Sequence, residues 1–425
     1  MYPNPQDVVP LTAAPTLEQY ETHARDLVAA CRSTEADAIP RWAAQWRVEI
    51  TDLEAFARKT LVSGDCALDA AQLVLARVHG FESWPVFAAH LRDLQNAESP
   101  VSKFEAAAEA VIAGDTATLQ RILDEQPSLI RARSTRVHRA MLLHYAAANG
   151  VENYRQKTPL NAVAVTNVLL AAGADVDAEA DMYGGGCTTL GLVATSIHPE
   201  RAGVQNALMQ VLIDHGAMID RPRVAGNNHT SVAGCLANGR GPAAEYLAAR
   251  GARLDLEGAA GLGRLDLVKD YFNGDGRLRP TATVKQMEAG FAWACEYGRT
   301  DVVAFMLEHG IPVDASVRHD GQTGLHWAAL GGHADVVSLL LERHAPVGIV
   351  DRTYGGTPLS WALHGWSNPP FGTSPDRYYE VVARLVRAGA EVSPQWFDTA
   401  AEPSAFANTL RADSRMLAAL RGHAV

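Results

Sequence analysis

"GQTGLHWAALGGHADVVSLLLERHAPV", residues 321–347, decides how this chain is built. Its Trp327 has counterparts at Trp293 and Trp361, so an indole recurs twice at a spacing of 34 residues. Around those positions, residues 290–315 read GFAWACEYGRTDVVAFMLEHGIPVDA, and residues 358–366 with 378–392 read PLSWALHGW and YYEVVARLVRAGAEV. Self-similarity at a fixed period marks a repeat array. Within each unit the apolar residues follow helical spacing: Val336, Val337, Leu339, Leu340 and Leu341 make one broad stripe. A pair of short amphipathic helices cannot bury its own apolar face, so such units must stack.

Thr323-Gly324-Leu325-His326-Trp327-Ala328 resembles the T-P-L-H-x-A signature of the ankyrin-repeat family, with Gly324 in place of proline. The period of about 33 residues is also that family's. LLHYAAANG at 142–150 with VAVTNVLLAAGADVDA at 163–178 is a further unit, and residues 230–255 form a degenerate one. The resemblance covers residues from about 101 to the C-terminus. It implies an all-α solenoid of about eight helix-pair units joined by short hairpin fingers. Gly173, Gly216, Gly251, Gly310 and Gly389 would end second helices in the left-handed conformation. His144 and His326 stand at the family's structural histidine and are expected to hydrogen-bond rather than to catalyse.

Residues 16–98 read as helices of another kind, opening at the cap residue Thr16. With Gly80-Phe81-Glu82-Ser83-Trp84-Pro85 they resemble the N-terminal helical segment of many bacterial ankyrin proteins. Three parts are therefore expected: a loose tail at 1–15, a helical cap at 16–98 in which Trp84 is a core staple, and the array at 99–425. The stretch from Trp396 onward would close its far end with a more polar helix.

A formal net charge of −11 argues against a nucleic-acid partner, which needs a basic face. No stretch of about 18 apolar residues appears, so no membrane span is expected. The opening MYPNPQDVVPLTAAP has no signal-peptide character, which points to a cytoplasmic protein. Cys31, Cys66, Cys187, Cys235 and Cys295 form no CxxC pair and are expected to be reduced and buried, with no metal site. No cofactor is expected either. The run Met182-Tyr183-Gly184-Gly185-Gly186-Cys187 lacks the Lys-Ser/Thr of a phosphate loop, and Thr189 replaces the third glycine of a dinucleotide fingerprint. Residues 353–360, TYGGTPLS, repeat the device, so the glycines are expected to make a turn.

Two departures from the family pattern point toward function. Insertions of 11, 7 and 11 residues, at 151–161, 197–203 and 366–376, enter the same loop of three units. Equivalent loops lie along one edge of a solenoid, often the binding edge. At the position of Trp327 the successive units carry Tyr145, Leu192, Gly234, Gly258, Trp293, Trp327 and Trp361. Two glycines between aromatic residues predict a central notch walled by rings. If Gly258 floors it, Gly258→Leu leaves the array folded and abolishes ligand binding.

Arg131, Arg133, Arg136 and Arg139 in the first finger, Arg155, Lys157 and Arg201 in insertions, and Arg221, Arg223, Arg318 and Arg352 in later fingers predict a positive groove. Tyr145, Tyr154, Arg155, Tyr183, His198, Gly234, Gly258, Trp293, Trp327 and Trp361 are therefore the candidate ligand-binding residues. The leading reading is a binding protein that presents its concave groove to a protein partner. The alternative is an enzyme or receptor for a small, anionic, aromatic-compatible metabolite. No catalytic triad, H-E-x-x-H or carboxylate pair stands out, so the catalytic residues stay unassigned.

Overall fold

Helices of eight to fourteen residues are marginal alone in water, so each must find a neighbour. A computed structural model describes residues 8–44, 53–63, 65–220, 230–317, 321–370, 373–397 and 405–423. Arg221, Arg223 and Arg318 lie outside the described residues. The chain forms two compact units, Met1–Val224 and Ala225–Val425.

The first unit begins with the helices Leu17–Arg32, Ala38–Ala44, Leu53–Ser63, Leu68–Val78 and Trp84–Leu94. Thr16 caps the first, its side chain accepting from the Gln19 N–H at 3.2 Å. Leu27, Trp42, Leu61, Val74 and Leu75 are buried together, and Tyr20, Phe81, Phe87 and Leu91 form an adjoining cluster. Trp84 packs partly buried against both clusters, as a staple should. The tail reading fails from Val8 onward. Val8 and Val9 are buried, and the Val9 N–H donates to the Val78 carbonyl at 2.9 Å. The cysteine reading also needs correction. Cys31 and Cys66, 35 residues apart, are joined in a disulfide, leaving Cys187, Cys235 and Cys295 free. Sequence spacing hid this pair because the two cysteines are brought together by the packing of the helices, not by a short-range motif.

Helix pairs then stack. In the first unit they are Pro100–Ala113 with Thr116–Glu125, Leu142–Tyr145 with Ala162–Ala171, and Thr189–Thr195 with Gln205–Asp214. The glycine run is a turn, as expected. Glu179–Ala180 pairs antiparallel with Cys187–Thr188, and Tyr183, Gly184, Gly185 and Gly186 all adopt positive φ between them. Four consecutive left-handed residues explain the glycines without any ligand. Thr188 caps the helix that follows, but it and Thr189 are buried, so that helix start is not exposed to an anion.

In the second unit the pairs are Ser231–Ala237 with Gly241–Ala248, Leu256–Gly261 with Leu265–Lys269, Val284–Glu296 with Thr300–Glu308, Gly324–Gly331 with Ala334–Glu342, and Pro358–Ser367 with Arg377–Arg387. That makes eight pairs among the described residues, before the terminal helices Ala405–Ala412 and Ser414–Ala419. The architecture is an all-α ankyrin-type stack.

Two devices join successive repeats. His144 accepts from the Met141 N–H at 3.1 Å and donates to the Ala178 carbonyl at 3.0 Å, while His326 accepts from Thr323 and donates to the Gly356 carbonyl at 3.2 Å. Each histidine thus ties a helix start to the next finger, the structural role the resemblance implied. The second device is a ladder of indoles in the second unit. Trp293 and Trp327 meet edge to face at 6.1 Å, and Trp327 and Trp361 at 5.2 Å, a geometry aromatic quadrupoles favour.

The disulfide supplies the first test. Closing a loop of 35 residues restricts the unfolded chain, and the loop-entropy relation puts the effect at about 4 kcal/mol. Cys31→Ser is expected to lower the unfolding free energy of the first unit by up to that amount in urea denaturation. Thiol titration of the denatured, unreduced wild type should find the three free cysteines.

Candidate functional site

A carboxylate taken fully out of water costs several kcal/mol unless opposite charge meets it. Glu152, in the insertion 151–161, has no exposed surface at all. Four elements gather around it. Helix Pro100–Ala113 contributes Glu105 and Glu109, four residues apart and so on one face. The finger at 131–140 contributes Arg136 and His138. Helix Leu142–Tyr145 contributes Tyr145, and the turn Asn153–Arg155 contributes Tyr154 and Arg155.

The contacts are short and branched. Arg136 bridges Glu105 at 2.6 Å and Glu152 at 2.6 Å. The Nη2 of Arg155 lies 2.7 Å from both Glu105 and Glu109, and its Nη1 lies 3.5 Å from Glu152. The Nε of Arg155 also donates to Glu109 at 2.9 Å. Two rings flank this guanidinium, with centroids 5.9 Å (Tyr145) and 5.6 Å (Tyr154) from its central carbon. His138 completes the cluster: the Ala140 N–H donates to its Nδ1 at 3.1 Å, so Nε2 carries the proton and faces Glu152 at 3.4 Å.

Burial and charge oppose each other here, and charge wins. Burial raises the Glu105 carboxyl, yet Arg136 and Arg155 bring it down from 4.5 to about 2. Glu152 is likewise held well below the usual range, burial being overcome by Arg136, His138 and Arg155. Tyr145 moves the other way, raised by burial and by the two carboxylates. His90, which contacts Thr135 at 2.8 Å, is lowered to about 4 by burial and Arg136. General acid–base work near neutral pH needs a group that titrates there with a lone pair to offer. Glu105 and Glu152 are too acidic for that, His90 is lowered out of range, and the Nδ1 of His138 already accepts from Ala140. The cluster is also incompletely satisfied: the Tyr145 hydroxyl and Glu152 Oε2 are buried without a hydrogen-bond partner.

Of the residues singled out in the sequence, Tyr145, Tyr154 and Arg155 come together here. Tyr183 and His198 bond elsewhere in the first unit. Tyr183 sits exposed on its finger and donates to Asn149 Oδ1 at 2.7 Å, and the His198 N–H donates to Ser196. The positive groove is corrected at its best-placed members, since Arg136 and Arg155 are neutralised by buried carboxylates. Arg133 donates to the carbonyls of Arg139 and Glu179. Glu105, Glu109 and Glu152 were not foreseen. Their signal was the i, i+4 pair on one helix and the i, i+3 pair Glu152/Arg155 inside an insertion.

The notch in the second unit is not formed as expected. A Cβ on Gly258 would stand 3.2 Å from Val232 Cγ1, so this glycine permits close helix packing instead of flooring a void. Gly234, by contrast, faces open space. Trp293, Trp327 and Trp361 are buried ladder members, not groove walls. A shallow cavity of about 560 Å³ does lie beside the third insertion, lined by Thr300, His333, Thr373, Ser374 and Arg377 among others. Its arginine is already engaged, with Nη2 2.8 Å from His333 Nδ1 and Nε donating to the Gly332 carbonyl. Among the described residues no cluster of His, Cys, Asp and Glu could hold a metal ion, and no helix is long and apolar enough to cross a membrane.

One family model agrees with this architecture over part of the second unit. The family model for ankyrin repeats (many copies) matches residues 291–341. The crystal structure of the human ASB11 ankyrin repeat domain is similar at 20% identity, covering 68% of this chain and 99% of that one, with a TM-score of 0.34. No curated protein matches the chain significantly.

The depressed carboxyls make the first unit acid-sensitive in a defined window. In the unfolded chain Glu105 returns to its ordinary value, so its stabilising contribution is complete above about pH 4.5 and is lost as pH falls through about 2. Thermal melting of the wild type should drop across that window. Glu105→Gln should flatten this dependence and, by leaving Arg136 and Arg155 short of a counter-charge, cost about 3–5 kcal/mol at pH 7. An unchanged acid slope in the variant would count against the assignment.

Proposed function

We propose that this chain, built on the ankyrin-repeat architecture, is a binding protein that meets a protein partner on its finger tips and first insertion. The observation that carries this is where large apolar side chains stay in water. Leu160 of the insertion is 83% exposed, and Tyr183 and Met218 in the fingers are 53% and 45% exposed. In the second unit Val350 and Tyr354, in the finger before Pro358–Ser367, are 54% and 77% exposed. Aromatic residues at such positions give much contact area for little lost side-chain freedom. The indoles expected to line a groove are inside, so recognition falls to the tips.

Asp351 keeps one of those tips in shape. Its carboxylate accepts from the Thr353, Tyr354 and Gly356 N–H groups at 2.9, 2.7 and 2.9 Å, and from Trp361 Nε1 at 3.1 Å. Tyr354 is thus presented from a turn anchored to the buried ladder. Preorganisation of this kind lowers the entropy lost on binding. Capping of the array by residues 16–98, its closure from Trp396 onward and a cytoplasmic setting belong to the same proposal.

A photo-crosslinking residue at position 183 or 354 should capture a protein that the same residue at Val62, exposed in the N-terminal helices, does not. Tyr354→Ala should weaken the complex about tenfold or more, in line with aromatic anchors at interfaces. Equal capture at all three positions, or none at the tips, would end this reading.

A further inference from the structure

A plain repeat needs no insertion, yet residues 151–161 carry an arginine back into the stack they interrupt. Three carboxylates, Glu105, Glu109 and Glu152, receive the guanidinium of Arg155. The rings of Tyr145 and Tyr154 lie on its flanks. Carboxylates matched to an N–H fork, with aromatic faces beside them, are what a planar cation is recognised by. Arg155 fills this host incompletely. Its Nη1 is 3.5 Å from Glu152, and Glu152 Oε2 and the Tyr145 hydroxyl are buried without partners. With Arg155 withdrawn, Glu105 and Glu152, both nearly or fully out of water, share one arginine, Arg136, while Glu109 is 59% exposed. Two enclosed carboxylates against one guanidinium favour a positive guest.

We propose that Glu105, Glu109, Glu152 and Tyr145 form a guanidinium-binding site, and that Arg155 is its built-in occupant, displaced together with its neighbour Tyr154 when a ligand's guanidinium enters. The host is largely part of the repeat scaffold: Glu105 and Glu109 come from helix Pro100–Ala113, and Arg136 holds Glu152 independently of Arg155. The occupant rides on the three-residue turn Asn153–Arg155, so it leaves without dismantling a helix pair. Because Arg155 is tethered, it competes at the high effective concentration of an intramolecular group, and external ligands bind the wild type weakly. The site stands apart from the finger tips and does not depend on their role.

The test uses the full chain and two probes, agmatine and a blocked Ala-Arg-Ala peptide, titrated by calorimetry. Arg155→Ala should bind agmatine at least tenfold more tightly than the wild type, since the tethered competitor is gone. Adding Glu109→Gln should weaken that binding severalfold. Peptide binding as tight as agmatine binding points to an arginine side chain of a protein, and agmatine binding alone to a free guanidino compound; either supports the site. A second measurement does not depend on the variant folding. Amide exchange of residues 151–161 in the wild type should accelerate with saturating agmatine and not with equal sodium chloride. Folded Arg155→Ala that binds neither probe, binding indifferent to Glu109→Gln, or unchanged exchange would overturn the proposal.

Discussion

Glu152 cannot be ionised and dry unless the residues around it come from the right places, and the first unit is organised by that demand. The charges that meet in this cluster arrive from a helix, a finger and an inserted turn that are far apart in sequence, so the ion pairs need the stack to be formed. Arg136 carries most of this load, because it touches both Glu105 and Glu152. Removing a single member leaves the others charged and buried, which costs more than the lost contact itself.

The second unit meets the same need for mutual support with apolar and neutral contacts. Its repeats are joined by ring against ring and by His326 reaching from one helix start to the next finger. Each contact is between neighbours only, so stability there accumulates repeat by repeat. The charge cluster draws on one repeat, the insertion that interrupts another and the finger between them. Local order around residues 151–161 is therefore set by ion pairing, whereas order around Trp327 is set by packing.

What could be read from the sequence follows the same division. The period, the helix pairs and the bridging histidines were legible because they recur, and recurrence needs no knowledge of distance. The three tryptophans were found by spacing, but whether an indole faces a groove or its neighbour is a matter of helix rotation, and spacing does not fix it. Gly258 was misread for a similar reason: absence of a side chain marks either a void or a close approach, and only Val232 at 3.2 Å decides. Arg155 was read as facing a groove, whereas it pairs with carboxylates of which two lie 46 and 50 residues away along the chain. The Cys31–Cys66 bridge was invisible because proximity across two intervening helices leaves no local trace.

The ladder has a consequence for how such a chain changes over generations. Trp293, Trp327 and Trp361 present the same edge-to-face join at each step, so a duplicated 34-residue module would meet its neighbours with surfaces they already accept. The module is copyable, and the array can lengthen or shorten there while every indole keeps a partner. The neighbourhood of Glu152 has no such freedom. A copy of its insertion placed elsewhere would bring a buried carboxylate without Arg136 to meet it, and a deletion would take from Arg136 one of its two carboxylates. One half of the molecule is written in interchangeable words, and the other contains a phrase that only makes sense once.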